Sequence, residues 1–396
     1  MTIVFDGFAP EHRADPYPRL RALREATPLH RLPAGAHLVT RYQDCATALS
    51  EPKWGRADAA GFNPFAPEVH REHLPFLFLD PPDHTRLRGL VSKAFTARRI
   101  AALRPLIAST VDELLDAVLA DGETDLIESF GYPLPLRVIC AMLGVPERDR
   151  PAFGGWSSAL ARGLDPGPLL TPEEHEARAR AMRDGKAYFR DLLAKRRAEP
   201  ADDLVSALAA VEEQGDVLTE SELLNTFTLL LSGGFETTVA LIANATLALI
   251  RHPDQLALWR DTPGIAQPAV EELARFEPSV QIAARVAQCP LELAGHTFDN
   301  GDGIVLLLAS ANRDPDAFDN PERLDLTRYT RPAPAHLSFA KGLHFCLGAA
   351  LARLEVEIAM DALVRRAPRL ELATDHLSYL PNISIRRMRA LPVRLR

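Results

Sequence analysis

Four groups of residues in this 396-residue chain have the types and spacing to do chemistry. The most concentrated is "HLSFAKGLHFCLGAALARLE", residues 336 to 355, where Cys346 is one of only four cysteines. A thiolate is a soft ligand for iron or another thiophilic metal, and its pKa falls at a helix N-terminus. Cys346 stands just before "LGAALARLEVEIAMDALV", whose apolar spacing and Ala, Leu and Glu content predict a long helix. Gly342 permits a tight turn ahead of it, and Gly348 would let a flat ligand approach the first helical turn with no side chain in the way. The competing reading of a lone cysteine at a helix start is a small buried hydrophobe.

The second group is "SGGFETT", inside a long apolar stretch. Gly233 and Gly234 in a helix interior cost about 1 kcal/mol each, so either something approaches the backbone or the helix opens there. Glu236 and Thr237 then place an acid and a hydroxyl in the least polar part of the chain. In the third group, "LDPPDHTRLRGLV", the prolines start a helix, and His84 and Arg88 share one of its faces at i,i+4. The fourth is "ELAR", where Glu272 and Arg275 can pair at i,i+3. Taken singly, each has a plain structural reading: a kink, a surface charge, a solvated ion pair.

Phe339, Gly342, His344, Cys346 and Gly348 spell F-x-x-G-x-H-x-C-x-G. This resembles the cysteine loop of the cytochrome P450 haem-thiolate monooxygenases, with Ala340 standing where many members have glycine. The resemblance covers essentially the whole chain. It implies haem b as cofactor, dioxygen as co-substrate and Cys346 as the axial ligand of the haem iron. Gly233 and Gly234 would form the oxygen-binding groove, with Thr237 and Glu236 handling protons. His84, Arg88, Arg285 and His344 would meet the haem propionates. Glu272 and Arg275, with Arg323 as a third member beside an unusual Leu324, would maintain the fold and haem pocket. Phe235 and Ile282, from their places beside the groove and before Arg285, are candidate substrate-pocket residues.

The resemblance implies hydroxylation or another oxidation of an apolar small molecule, a natural product or a xenobiotic. The chain carries no flavin or nicotinamide fingerprint. Electrons would therefore come from a ferredoxin or flavodoxin with its NAD(P)H reductase, docking near the cysteine loop on Arg86, Lys93, Lys341 and Arg353. A peroxide-using haem-thiolate enzyme and a non-catalytic haem-binding protein are the alternatives. The Glu236–Thr237 pair argues against both, since neither needs a proton relay to dioxygen.

These groups must be positioned by a mostly helical frame. The stretch from Leu223 to Ile250 contains a single charge, Glu236, and is long enough to span a membrane. A lipid-facing acid at its centre would cost roughly 2.5 to 3.5 kcal/mol, so a core-crossing helix is expected, running from a Thr219/Glu222 capping box to about Arg251. At 1.5 Å per residue it would be about 48 Å long. Helical periodicity also fills "TARRIAALRPLIASTVDELLDAVLA", "LLTPEEHEARARAMRDGKAYFRDLLAKRRAEP" and "QPAVEELARFEP". Strand signals lie at both ends: "HRLPAGAHLVTRY" around a Gly35 turn, then "ARVAQ", "LELAG" and "GIVLLLA". The stretch 55–75 reads as a long functional loop; its Phe62 and Phe65, with Phe76, Phe78 and Trp156, suggest an apolar ligand. The expected fold class is mainly α with a small β part: one P450 domain over residues 1–396, a triangular helical prism holding haem between the central and cysteine-bearing helices.

The formal charge of −8 disfavours nucleic acid and anionic membrane as partners. Cys45, Cys140, Cys289 and Cys346 show neither C-x-x-C nor short Cys/His spacing, which argues against zinc and a disulfide framework. With no signal peptide or membrane anchor visible, a cytoplasmic protein is expected.

Overall fold

The computed structural model describes residues 9, 12–33, 35–58, 63, 74–213, 216–367 and 369–395. Helices carry most of the chain, and the main sheet draws strands from both of its ends. Its five strands lie in the order Leu29–Arg31, His37–Val39, Gly303–Leu307, Ile282–Ala287, Trp54–Gly55. The first two pair antiparallel around Gly35, whose φ of +92° is readily adopted only by glycine. His37–Val39 also pairs parallel with Gly303–Leu307, and Gly55 pairs with Val286. Residues 55 and 56 are thereby set beside the strand that carries Arg285.

The capping boxes at Thr171 and Thr219 are both formed, starting Pro172–Ala198 and the central helix. The central helix is not continuous: Glu220–Gly234 and Glu236–Arg251 meet at Phe235, with φ −116° and ψ −67°. The cost of two interior glycines is thus relieved by local opening. From Glu220 to Arg251 the segment is apolar and long enough to cross a membrane, but 83% of its apolar window is buried inside the protein. It is a core element, and Thr246 on it meets Met360 of the cysteine-bearing helix, Ala349–Arg366, at 3.6 Å.

The stretch expected as a long loop is described only in part, and Phe62 and Phe65 lie outside the described residues. Phe76 is buried in a short 3₁₀ turn, Phe76–Phe78, that leads into the His84 helix, Asp83–Ala94. Trp156 packs in an aromatic cluster with Phe153 and Tyr188, centroids 5.1 and 5.9 Å away, which is core packing.

Candidate active site

The cysteine loop closes on itself. Cys346 N–H donates to the Phe339 carbonyl at 2.9 Å, and Phe345 N–H to the Gly342 carbonyl at 3.0 Å. Gly342 has φ +69°, and a Cβ there would come within 2.4 Å of the Leu49 carbonyl oxygen, so the turn requires glycine. Ala340, the departure from the motif, takes φ +58° with a Cβ in place, at a cost of about 1–2 kcal/mol. The loop is strapped from outside by the Phe339 ring, which lies 4.4 Å from the Arg353 guanidinium and 5.6 Å from the His336 ring. Both of those side chains bind Glu271, His336 Nε2 at 3.2 Å and Arg353 Nη2 at 2.9 Å. Burial pushes the Glu271 carboxyl upward, but the hydrogen bonds from His336 and Arg353 win and hold it at about 2.

Cys346 is accessible, yet desolvation by the surrounding residues still raises its thiol pKa. The Gly348 and Ala349 N–H groups and the Arg88 and Arg353 guanidiniums favour the thiolate without overcoming that burial. A bound soft cation would supply the remainder. Among the described residues no group of three or more His, Cys, Asp or Glu could cage a bare metal ion. A metal held by this one thiolate must therefore bring most of its other ligands with it, as a haem iron does.

Gly233 is exposed in the middle of the otherwise buried central helix, and a Cβ built there or at Gly348 would meet no atom within 4 Å. Gly234 is tighter, with Ile139 Cδ1 3.3 Å from such a Cβ. Thr237 lies one turn beyond Gly233 on the same face, and its hydroxyl donates to the Gly233 carbonyl at 2.8 Å. Glu236 is buried at 4% exposure. It accepts from Ser158 Oγ and pairs with Arg387 Nη1 at 3.1 Å. Neither partner carries a signal in the sequence.

Both pocket candidates are corrected. Phe235, at the break between the two helical segments, is turned into the core while Gly233 is exposed. It is fully buried, its ring edge-to-face with Tyr132 at 4.7 Å. Ile282, three residues before Arg285, falls on the other face of their strand and packs with Tyr17, Leu20, Leu307 and Ala309.

The residues expected at the propionates do converge. The His84 and His344 rings lie 4.3 Å apart, and Arg88 Nη2 donates to the Phe345 carbonyl at 2.8 Å. Both ring nitrogens of His84, Nδ1 of His344 and Nη2 of Arg285 are buried without a protein partner. Burial, then the nearby Arg88, Arg56 and Arg285 guanidiniums, hold the His84 pKa at about 4. His344 is held far below its usual range by burial and the same cations. Orphaned donors and uncompensated guanidiniums fit a group bearing two carboxylates, and the bare backbone at Gly233 and Gly348 fits a flat one. The residues present thus fit haem. Arg56 joins this cluster and was not anticipated; a single arginine after a strand glycine carries no local signal.

The i,i+3 pair is formed and fully buried: Arg275 Nε and Nη2 bind the Glu272 carboxylate at 2.7 and 2.8 Å. Its third member is Arg328, whose Nε donates to Glu272 at 3.0 Å, and not Arg323. Leu324, Leu326 and Arg328 alternate inward while Arg323 points out, contributing only its carbonyl to Arg275 at 3.3 Å. The expected basic docking patch is also reduced. Arg86 is tied to Asp216 and Glu222, and Arg353 to Glu271.

The cytochrome P450 family model matches residues 265–386. Over 393 residues the chain is 41% identical to cytochrome P450 monooxygenase PikC of Streptomyces venezuelae, covering 97% of this chain and 92% of that protein. It is 38% identical over 397 residues to 6-deoxyerythronolide B hydroxylase of Saccharopolyspora erythraea, covering 96% and 95%. The solved structure of PksS, the bacillaene polyketide synthase cytochrome P450 of Bacillus subtilis 168, superposes with a TM-score of 0.89 at 38% identity, covering 99% of this chain and 100% of that one.

Proposed function

This chain belongs to the cytochrome P450 family and is a haem-thiolate monooxygenase that uses haem b and dioxygen; from that premise we propose how its residues divide the work. The reading of the site is carried by one observation. Cys346, the orphaned donors of His84, Arg285 and His344, and the bare faces of Gly233 and Gly348 come from four separate parts of the sequence and suit the parts of a single ligand.

When bound, the haem supplies dioxygen activation, helped by electron density from a thiolate ligand. Cys346 is that ligand, kept anionic by the metal and by the Gly348 and Ala349 N–H groups. The Phe339 strap, anchored through Glu271, fixes the sulfur's position. His84, Arg88, Arg285 and His344 hold the propionates. The Thr237 hydroxyl donates a hydrogen bond to the Gly233 carbonyl at 2.8 Å, which leaves its lone pairs free to accept from a donor beside the bare face of Gly233. The buried Glu236 carboxylate, bonded by Ser158 and paired with Arg387, places a proton acceptor one residue away, through which a relay can pass. Glu272, Arg275 and Arg328 act in fold and pocket integrity. The whole works as one catalytic domain.

The enzyme needs a redox partner and binds a small molecule. We assign the partner as a ferredoxin or flavodoxin with its NAD(P)H reductase, meeting the exposed Lys341 and Leu343 of the cysteine loop, and the compartment as the cytoplasm. The substrate class best supported is an apolar polyketide-type natural product, because similar proteins are named for 6-deoxyerythronolide B hydroxylation and for a polyketide synthase. The carbon monoxide difference spectrum of the reduced protein tests the core of this reading. Wild type should give the thiolate-type band and Cys346→Ala should lose it; an unchanged band in the variant sinks the assignment. Polyketide lactones should shift the haem spin state, and turnover with a surrogate ferredoxin system should then follow.

A further inference from the structure

Arg56 is half-buried, with its Nε fully enclosed, and no motif accounts for its charge. The pairing of Gly55 with Val286 sets Arg56 beside Arg285. The nearest acid, Asp80, is spent on backbone: its oxygens accept Arg56 N–H at 2.9 Å each and Ala57 N–H at 3.2 Å. The two guanidiniums instead share one weak acceptor. Arg56 Nη1 lies 3.4 Å and Arg285 Nη1 2.8 Å from the same Ala284 carbonyl oxygen. Arg56 Nε and Arg285 Nη2 are buried with no partner at all.

Burial lowers the Arg56 pKa to about 10 against the pull of Asp80, and burial followed by Arg56 itself lowers that of Arg285. Two like charges in this state signal a missing anion. Haem brings two carboxylates that can answer such donors.

We propose that Arg56 is a third guanidinium of the haem-carboxylate site, binding there together with Arg285 and not serving the fold of the polypeptide alone. The proposal rests on the haem reading above. Gly55 is tightly enclosed beside this group: a Cβ there would lie 2.3 Å from Gln288 Nε2 and 2.9 Å from Asp80 Oδ1.

The test uses purified holoenzyme and haem release to excess apomyoglobin. A charge-assisted hydrogen bond lost from a buried carboxylate should speed release roughly 10- to 100-fold in Arg56→Gln. Arg56→Lys, which keeps the charge but not the fork, should fall between. The second readout is the melting temperature of the haem-free proteins. Arg56→Gln should leave it unchanged or raise it, because repulsion from Arg285 is relieved, whereas an arginine serving only the fold would lower haem-free and holo forms alike. The iron reduction potential should also shift negative when the cation is removed. Release within twofold of wild type overturns the proposal, as does a haem-free Arg56→Gln protein that melts earlier than haem-free wild type or fails to fold where wild type folds. Wild-type protein that takes up no haem overturns the haem reading and this proposal together; unchanged release from the variant overturns this proposal alone.

Discussion

Two arginine clusters, one around Glu272 and one around Arg285, are built on opposite principles. Around Glu272 the donors are answered. Its carboxylate takes Arg275, Arg328 and the Asp325 N–H, and Arg275 further donates to the carbonyls of Asn312, Pro321 and Arg323. Around Arg285 the donors outnumber the acceptors, and buried nitrogens of His84, His344, Arg56 and Arg285 have no partner. The difference separates a cluster that holds the chain together from one arranged for something the chain does not contain. Saturation marks a structural role and orphaned donors mark a binding role, because a buried polar group costs 1–3 kcal/mol wherever its partner is missing.

The sharpest way to break this contrast is Glu272→Gln. It strands two buried guanidiniums and should cost about 3–5 kcal/mol, seen as loss of soluble, cooperatively melting protein whether or not haem is supplied. Removal of a cation from the other cluster should instead show itself in haem retention. A protein with Glu272→Gln that melts like wild type would erase the distinction.

Within the saturated cluster, Arg328→Gln should cost about 3 kcal/mol, since it deletes a 3.0 Å contact to a fully buried carboxylate. Arg323→Gln, one short step away in sequence, should stay within about 0.5 kcal/mol because its side chain faces solvent. Chemical denaturation of the pair decides it, and equal losses would return Arg323 to the cluster.

A more gradual effect is the pH dependence of the haem-free protein. His84 titrates near 6.5 when unfolded and at about 4 when folded, a depressed value. The unfolded state therefore binds the proton first. Stability should be full above about pH 6.5 and fall by on the order of 2 kcal/mol as pH drops toward 4. Haem carboxylates would favour the charged imidazole and flatten that loss. Acid melts of haem-free and holo protein check it, and identical profiles would count against His84 facing the carboxylates.

Much of this site can be read without coordinates, and the reason differs from residue to residue. Cys346, Gly342 and His344 act within one short loop, so spacing alone conveys their geometry. The Thr219 capping box and the Glu272–Arg275 pair are likewise local, set by helical periodicity. Arg323 is displaced from the pair by Arg328 because the turn that sets residue 328 inward, closed by its N–H on the Asp325 carbonyl at 2.9 Å, is not encoded by the motif that names the neighbourhood. Phe235 was misplaced because adjacency along a helix is not adjacency on its face.

Residue type and separations of a few positions suffice to pick out the cysteine loop, the glycines that bare the backbone, the helices that carry them and the family to which they belong. Which charges remain unanswered is settled by packing. Arg56 meets Arg285, Glu236 meets Arg387, and Glu271 meets Phe339's neighbours across separations that no local pattern spans. Burial and long-range pairing, which set the cost of an uncompensated charge, exist only once the chain is packed.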